Sequence, residues 1–530
     1  MNRRRTHNGG SLPDLGVLPA PERFGNQPDW FGALAGTLFW TTEYGPKAGG
    51  RVTGHGLAAQ SDRALQWAFD QFCKGKGAAG HDITQFAFQH DGREIAGHAS
   101  VCLAGAGKLK GIDIGQVSGT VVQTNSLNQW AKDLAGKGKA DQEIGQAALQ
   151  HNELEVTGDV SFSLAVGGKL KGDLHHIDIG QVAGEIVQVN LLSQWAQNHS
   201  DKHGAVQEID QAALQGNWLK AAGDVSFSLA VAGNLGSVHH INVGLIAGEV
   251  VQSNSLSQWA QNQVGKGGAV QQADQAALQG NGLEAIGSVS FSLVAGGNVG
   301  TIHDVNVGLI AGHITQANLL DQWASNGAQK GSAEQLNEQT GSQANWIEAL
   351  GHLHFSLVIE GSVGSISGID VGLITGGITQ VDFLGQWASN HAKGGAAEQV
   401  NDQAGWQTDW LEVLGDIDLT LVVEGSYHEA ISDIQVGLAG ADILQSNSAL
   451  QLGINRAAGA DPTQEMNQQS VIQANIQNGD GHEHITITLG ADFTGAISDL
   501  DIGLIIDNTQ TNDAVSVAIN WAGSGWHLIG

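Results

Sequence analysis

Residues 210–217 read Asp-Gln-Ala-Ala-Leu-Gln-Gly-Asn, and residues 274–281 repeat the same eight letters. The match spreads outward over a whole unit: residues 196–259 and 260–323 agree at about 40 of 64 positions. Gln-Trp-Ala marks the period, with Trp67, Trp130, Trp195, Trp259, Trp323 and Trp387 spaced by 63, 65, 64, 64 and 64 residues. Leu452 continues the series with the tryptophan replaced, and a degenerate unit follows to near Trp521. Self-similarity at a fixed period is the signature of repeats that bury their faces only against their neighbours.

Within a unit, Val225-Ser-Phe227-Ser-Leu229 alternates apolar and small polar residues, as does Ile241-Asn-Val243-Gly-Leu245. Side chains on a strand alternate faces, so both read as strands with one buried side. Val250 to Leu256 reads as a weaker third strand. The stretch from Ala269 to Leu278 leaves two readings level: its Ala, Gln and Leu content suits a helix, and a polar rung of a solenoid competes. The six prolines leave residues 47–461 uninterrupted, so strands can pair throughout and no proline-rich linker separates the units. The expected fold is mainly β, an elongated tandem array of units of about 64 residues forming a β-solenoid. The alternative is a chain of stacked small β-sandwich-like modules. Stacking would set Trp over Trp and align Gln and Asn in hydrogen-bonded ladders. The expected organisation is a flexible N-terminal arm at 1–45, tandem repeats at 46–452, and a degenerate last repeat with a C-terminal cap and secretion signal at 453–530.

Charge narrows the partners. The 530 residues hold 23 Lys+Arg against 53 Asp+Glu, a net charge of −30, with 76 glycines. Phosphate backbones and anionic lipid need basic patches, so no nucleic-acid partner is expected. No run of 18 apolar residues occurs, so no insertion into a membrane by a helix is expected. The two cysteines, Cys73 and Cys102, exclude a disulfide scaffold and read as thiols in preference to a single bridge. The basic start, Met1 to Gly10, is not followed by an apolar segment, so no N-terminal Sec signal is expected.

Few residues suggest chemistry. His175-His176 and His239-His240 tempt a metal reading, but neighbours on a regular strand face opposite ways. The pair decays to His303-Asp304 and then Ser367-Gly368, which reads as a tolerant surface. Gly481-His-Glu-His484 reads as a polar strand beside a turn. No EF-hand loop is present, and Asp499-Leu-Asp501-Ile-Gly503 lacks the remaining ligands. Residues 331–530 hold 25 Asp+Glu against Lys393 and Arg456 alone, which would bind Ca²⁺ weakly at most; no cofactor and no metal ligand set is expected. The six tryptophans of the period read as packing residues. Trp218, Trp346, Trp406 and Trp410, and also Trp526, lie outside that series and are the candidates for a ligand surface, with sugar rings as the ligand. No nucleophile elbow, phosphate loop or isolated acid–base cluster stands out, so no enzyme is expected.

Repetition, acidity, abundant glycine and scarce cysteine together resemble the surface and biofilm proteins that Gram-negative bacteria export by type I secretion. The tail Asp513-Ala-Val-Ser-Val-Ala-Ile-Asn-Trp-Ala-Gly-Ser-Gly-Trp-His-Leu-Ile-Gly530 carries the comparison to their C-terminal signals. The glycine-rich calcium nonapeptides of the RTX class are missing. The resemblance implies a secreted or cell-surface protein of adhesion, biofilm matrix or surface coating. The expectation is a non-catalytic structural or adhesive repeat protein whose partners are further copies of itself or surface polysaccharide. Two alternatives stand beside it, a self-assembling amyloid-like fibre subunit and a polysaccharide-binding or polysaccharide-cleaving protein on a β-helical scaffold. The degenerate first and last units read as caps, which counts against the fibre.

Overall fold

The computed structural model describes residues 48–51, 58–72, 79–104, 109–114, 117–118, 120–137, 140–167, 173–202, 205–424, 430–439, 443–489, 496–505, 508–522 and 527–529. The expected arm at 1–45, Cys73 and Trp526 lie outside the described residues, as do the side chains of Trp67, Cys102 and Trp521.

The coil that starts at Ile186 shows the pattern. An outbound strand, Ile186–Lys202, turns into a return strand, Ala205–Ala222. Two shorter strands, Val225–Val231 and Val238–Val243, and a bridge at Ile246–Ala247 close the circuit. The next outbound strand, Val250–Val264, then lies directly on the first, with Gln188 against Gln252, Asn190 against Asn254 and Trp195 against Trp259. Every strand of a coil pairs in parallel with its equivalent in the coils before and after. The repeats are therefore turns of one β-solenoid, not separate sandwich modules. Among the described residues there is no helix, and so none long and apolar enough to cross a membrane.

The two level readings of residues 269–278 resolve as strand, in Ala269–Ile286. Helix propensity is a weak prior, and here pairing with the coils on both sides outweighs it. The segment expected as a weak third strand is instead one of the longest, because its polar residues are the ones that face inward.

Each coil has two interiors. One is apolar. Val225, Phe227 and Leu229 face the inner side chains of Val238–Val243 and the inner residues at the near ends of the long strands, and all are buried. Equivalent residues stack from coil to coil, with Phe162, Phe227, Phe291 and Phe355 at ring-centroid steps of 5.2, 5.1 and 4.9 Å. The other interior lies between the outbound and return strands. It alternates columns of Gln and Asn with columns of small apolar residues such as Leu192, Leu256 and Leu320 over Ala213 and Ala277. Glycine columns turn the corners. At Gly223 φ is +148°, and an added Cβ would sit 2.0 Å from the carbonyl oxygen of Gly158 in the coil below. Only glycine fits such an approach.

Candidate functional site

The polar interior is the most unusual feature. Gln188, Asn190, Gln194 and Asn198 point from the outbound strand toward Gln207, Gln211, Gln215 and Asn217 on the return strand, and all are buried. Burying so many amides is costly unless each is paired. Here each amide serves two directions. Along the stack, Gln252 Nε2 donates to Gln188 Oε1 at 2.8 Å, and Gln316 Nε2 donates to Gln252 Oε1 at 2.8 Å. Across the gap, Gln252 Nε2 also donates to the Gly282 carbonyl at 3.0 Å. Asn254 donates to Asn318 at 2.9 Å, to Asn281 at 3.0 Å and to the Gly280 carbonyl at 3.0 Å. Such networks rigidify a structure when fully satisfied. The arrangement is that of a cross-β steric zipper folded into one chain.

The tryptophans fall in two rows. Trp130, Trp195, Trp259 and Trp323 stack on the outer face of the outbound strands, at centroid steps of 4.8, 4.7 and 4.8 Å and within 4° of parallel. Trp67 is in register below them. Trp387 follows at 46 % exposure, with Leu452 as its next neighbour. Because the indoles cover one another's faces, mainly their edges meet solvent. The second row, on the return strands, runs Trp218, Gly282, Trp346, Trp410. Trp218 leans over Gly282, its ring 2.3 Å from where a Cβ would be, and stacks on Trp346 two coils away at 5.3 Å. Trp346 is only 8 % exposed and Trp410 is half-buried, as is Trp406. The structure thus sets Trp218, Trp346 and Trp410 in one column, with Trp406 in the neighbouring stack of Ser342 and Ile472.

Acids also form columns. Asp210, Asp274, Glu338 and Asp402 stack in register. Burial, then Glu208 and Glu143, pushes Asp210 up to about 6. Burial, with Asp210 and Glu338 close by, pushes Asp274 up to about 7 against the hydrogen bond from Gln272. Lys220 interrupts another column, between Glu155 and Glu284, its Nζ 3.2 Å from Glu284, and burial with Glu284 and Glu412 pushes Glu348 up to about 7. Burial first and stacked like charges second explain these shifts, and among the described residues no base stands opposite them in the pattern of a catalytic pair.

The described residues at the end of the stack include an exposed apolar strand. Ile485, Ile487 and Leu489 continue the columns of Leu419, Leu421 and Val423. The lower residues are buried, whereas the three above them are 44, 46 and 46 % exposed. Among the described residues, Glu483–Leu489 is the edge of its sheet. The long strand Ile443–Asp480 is covered by Asn508–Ala522 only as far as Ala457. A three-residue antiparallel contact, Ala518–Asn520 with His527–Ile529, lies on that last strand. Ile485, Ile487 and Leu489 keep the apolar alternation of the coils below them, and no described strand lies over them.

Comparison with protein-family models, with curated proteins and with solved structures finds no match.

Proposed function

We propose that this chain is a non-catalytic structural protein of the cell surface or extracellular matrix, whose copies stack end to end into a fibre. The observation that carries this reading is the exposed strand Glu483–Leu489, which no described strand covers. The solenoid's apolar columns, strand edges and amide ladders stop at a face that a further coil would continue. An exposed, flat and apolar strand edge is a template for pairing with another chain. A head-to-tail contact of this kind does not close on itself, so it propagates.

Dimensions support the same reading. Coils rise by about 4.8 Å each, so the roughly seven steps of the solenoid at 45–530 advance only about 34 Å, whereas strands of 17 or 18 residues span about 58 Å across it. Length along the stacking axis therefore has to come from many copies. The stacked indoles favour adhesion as a second role, because a fibre would present that row many times over and gain avidity.

The test is electron microscopy and fibre diffraction of the purified full chain, beside the variant Ile485→Lys/Ile487→Lys. The expected result is fibres with a meridional spacing near 4.8 Å from the unmodified chain and monomers from the variant. A chain that stays monomeric at high concentration between pH 5 and 8, or a variant that assembles equally well, overturns the proposal.

A further inference from the structure

The histidine pairs do not alternate as a regular strand requires. Leu174 and Ile177 both face the core, as do Val238 and Ile241, and as do Ile302 and Val305. Two inward residues separated by two others leave one residue too many for strict alternation. The chain absorbs it at the second position, where φ is +51° at His176, +55° at His240 and +56° at Asp304. This left-handed conformation is one that His and Asp adopt more readily than most residues. In the next coil the same place is taken by Gly368, at φ +60°. The ladder skips the position: His175 pairs with His239 and Ile177 with Ile241, with no pairing between them. Both members of a pair consequently emerge on the outer side. The objection raised by regular alternation is overturned by the bulge.

The result is an imidazole cluster spanning three coils. His175 meets His176 edge-on at a centroid distance of 3.7 Å and His239 at 3.9 Å, and His176 stacks on His240 at 4.9 Å. One ligand nitrogen from each of His175, His176 and His240 lies within 4.8 Å of the others. His240 Nδ1 is 3.1 Å from Asp304 Oδ2, which His303 also approaches at 2.9 Å. A carboxylate on one ring nitrogen fixes the imidazole and leaves the other nitrogen for a metal, the usual second partner of a ligating histidine.

The geometry points to a binding site for a divalent transition metal, Zn²⁺ or its borderline-soft neighbours, held by His175, His176 and His240. Three nitrogens at 2.0–2.1 Å from a tetrahedral Zn²⁺ stand about 3.3 Å apart. His176 and His240 are solvent-exposed, so small side-chain rotations close that gap without disturbing the core. The set is all nitrogen, which suits Zn²⁺, Cu²⁺ and Ni²⁺ and not Ca²⁺. Because His175 and His176 belong to one coil and His240 to the next, the metal ties two turns of the solenoid together.

The test is equilibrium dialysis of the full chain against Zn²⁺, with Co²⁺ substituted for its visible absorption. The paired variant is His176→Asn/His240→Asn, since Asn accepts the left-handed backbone. His352→Asn/His354→Asn, at exposed positions elsewhere, serves as the control. We expect one Zn²⁺ retained per chain, a tetrahedral Co²⁺ spectrum, and a loss of affinity on the order of 100-fold or more in the His176/His240 variant but not in the control. Equal retention by that variant, or no retention by the unmodified chain at pH 7.5, overturns the assignment. A variant that binds less but shows altered circular dichroism without metal has lost its fold; the single change His175→Gln, which leaves the bulge intact, then decides, and unchanged affinity in it also overturns the site.

Discussion

Asp382 and Asp409 interrupt the asparagine ladder. Asn318 lies below Asp382 and Asn447 above it, and Asn345 and Asn475 flank Asp409 in the same way. Both acids are fully buried. Asn345 donates to Asp382 Oδ1 at 2.8 Å and to Asp409 Oδ1 at 2.9 Å, and Asn318 donates to Asp382 Oδ1 at 2.9 Å. The second carboxyl oxygen of each has no hydrogen-bond partner, and neither has Asn447 Oδ1, which an amide at position 382 would reach. Burial pushes Asp409 up to about 7, and burial together with Asp409 pushes Asp382 well above the usual range.

The sign follows from linkage. An unfolded Asp titrates near 3.8, so between that pH and 7 the native state binds more protons than the unfolded one. Stability is then fullest below about pH 4, falls as pH rises toward 7, and is level above it. Three units correspond to about 4 kcal/mol for Asp409. Replacing both acids, Asp382→Asn/Asp409→Asn, removes this penalty and completes the ladder. The expected gain is about 5 kcal/mol or more at pH 8, the Asp409 penalty plus the repaired hydrogen bonds, shrinking to about 1 kcal/mol at pH 4, where only the repaired hydrogen bonds remain. Guanidinium unfolding at the two pH values reads the gain. Because stacked repeats can open in segments, hydrogen exchange of residues 378–439 gives a local reading. Equal gains at both pH values, or none at either, would refute the argument.

Two further outcomes follow from the columns. Gln258→Ala removes donations to Gln194 Oε1 at 2.8 Å and to the Ala276 carbonyl at 3.1 Å, and takes from Gln322 Nε2 one of its two acceptors, leaving the Thr340 carbonyl. It should lower stability by about 2–4 kcal/mol in guanidinium unfolding, and a cost under 0.5 kcal/mol would mean that the ladder carries little. Gly282→Ala places a Cβ 2.3 Å from the Trp218 ring. It should displace that indole from Trp346 at a cost of about 1–3 kcal/mol, seen as a changed near-ultraviolet circular dichroism; an unaltered spectrum would refute the stacking.

Much of the solenoid was legible because the period is so regular. Near-equal spacing of Trp130, Trp195 and Trp259, 65 and 64 residues, sets their register, and the register sets which side chains stack. The amide ladders were legible for the same reason, since Gln188, Gln252 and Gln316 recur at matching positions. What the repeat hides is anything decided inside a coil. The strand from Ala269 to Ile286 looked as much like a helix as a strand, because an interior lined with Gln and Asn reverses the polarity pattern that marks a buried face. The histidine bulge was concealed by an assumption of strict alternation, although Leu174-x-x-Ile177 and the glycine at 368 both announce it. In the last coil the tryptophan column drifts, whereas the apolar column continues through Ile485, Ile487 and Leu489.

The same chain combines a face suited to assembly with charges that oppose it, and the columns show how both are accommodated. A net charge of −30 repels copies at a distance. A regular stack also forces like side chains together, so an acid at one position of the repeat becomes a row of acids about 4.8 Å apart. Such a row cannot stay fully ionised at low cost, and Asp210, Asp274 and Glu348 respond with pKa values pushed up to about 6, 7 and 7, burial being the first cause in each. These rows end inside the stack, with Gln468 following Asp402 and Asn478 following Glu412, so their proton uptake accompanies the folding of the coils. Mild acid favours assembly of copies through the net charge, which protonation lowers. The neutral amide columns contribute no such dependence: they supply a pairing edge at any pH, and the net charge decides when copies can approach it.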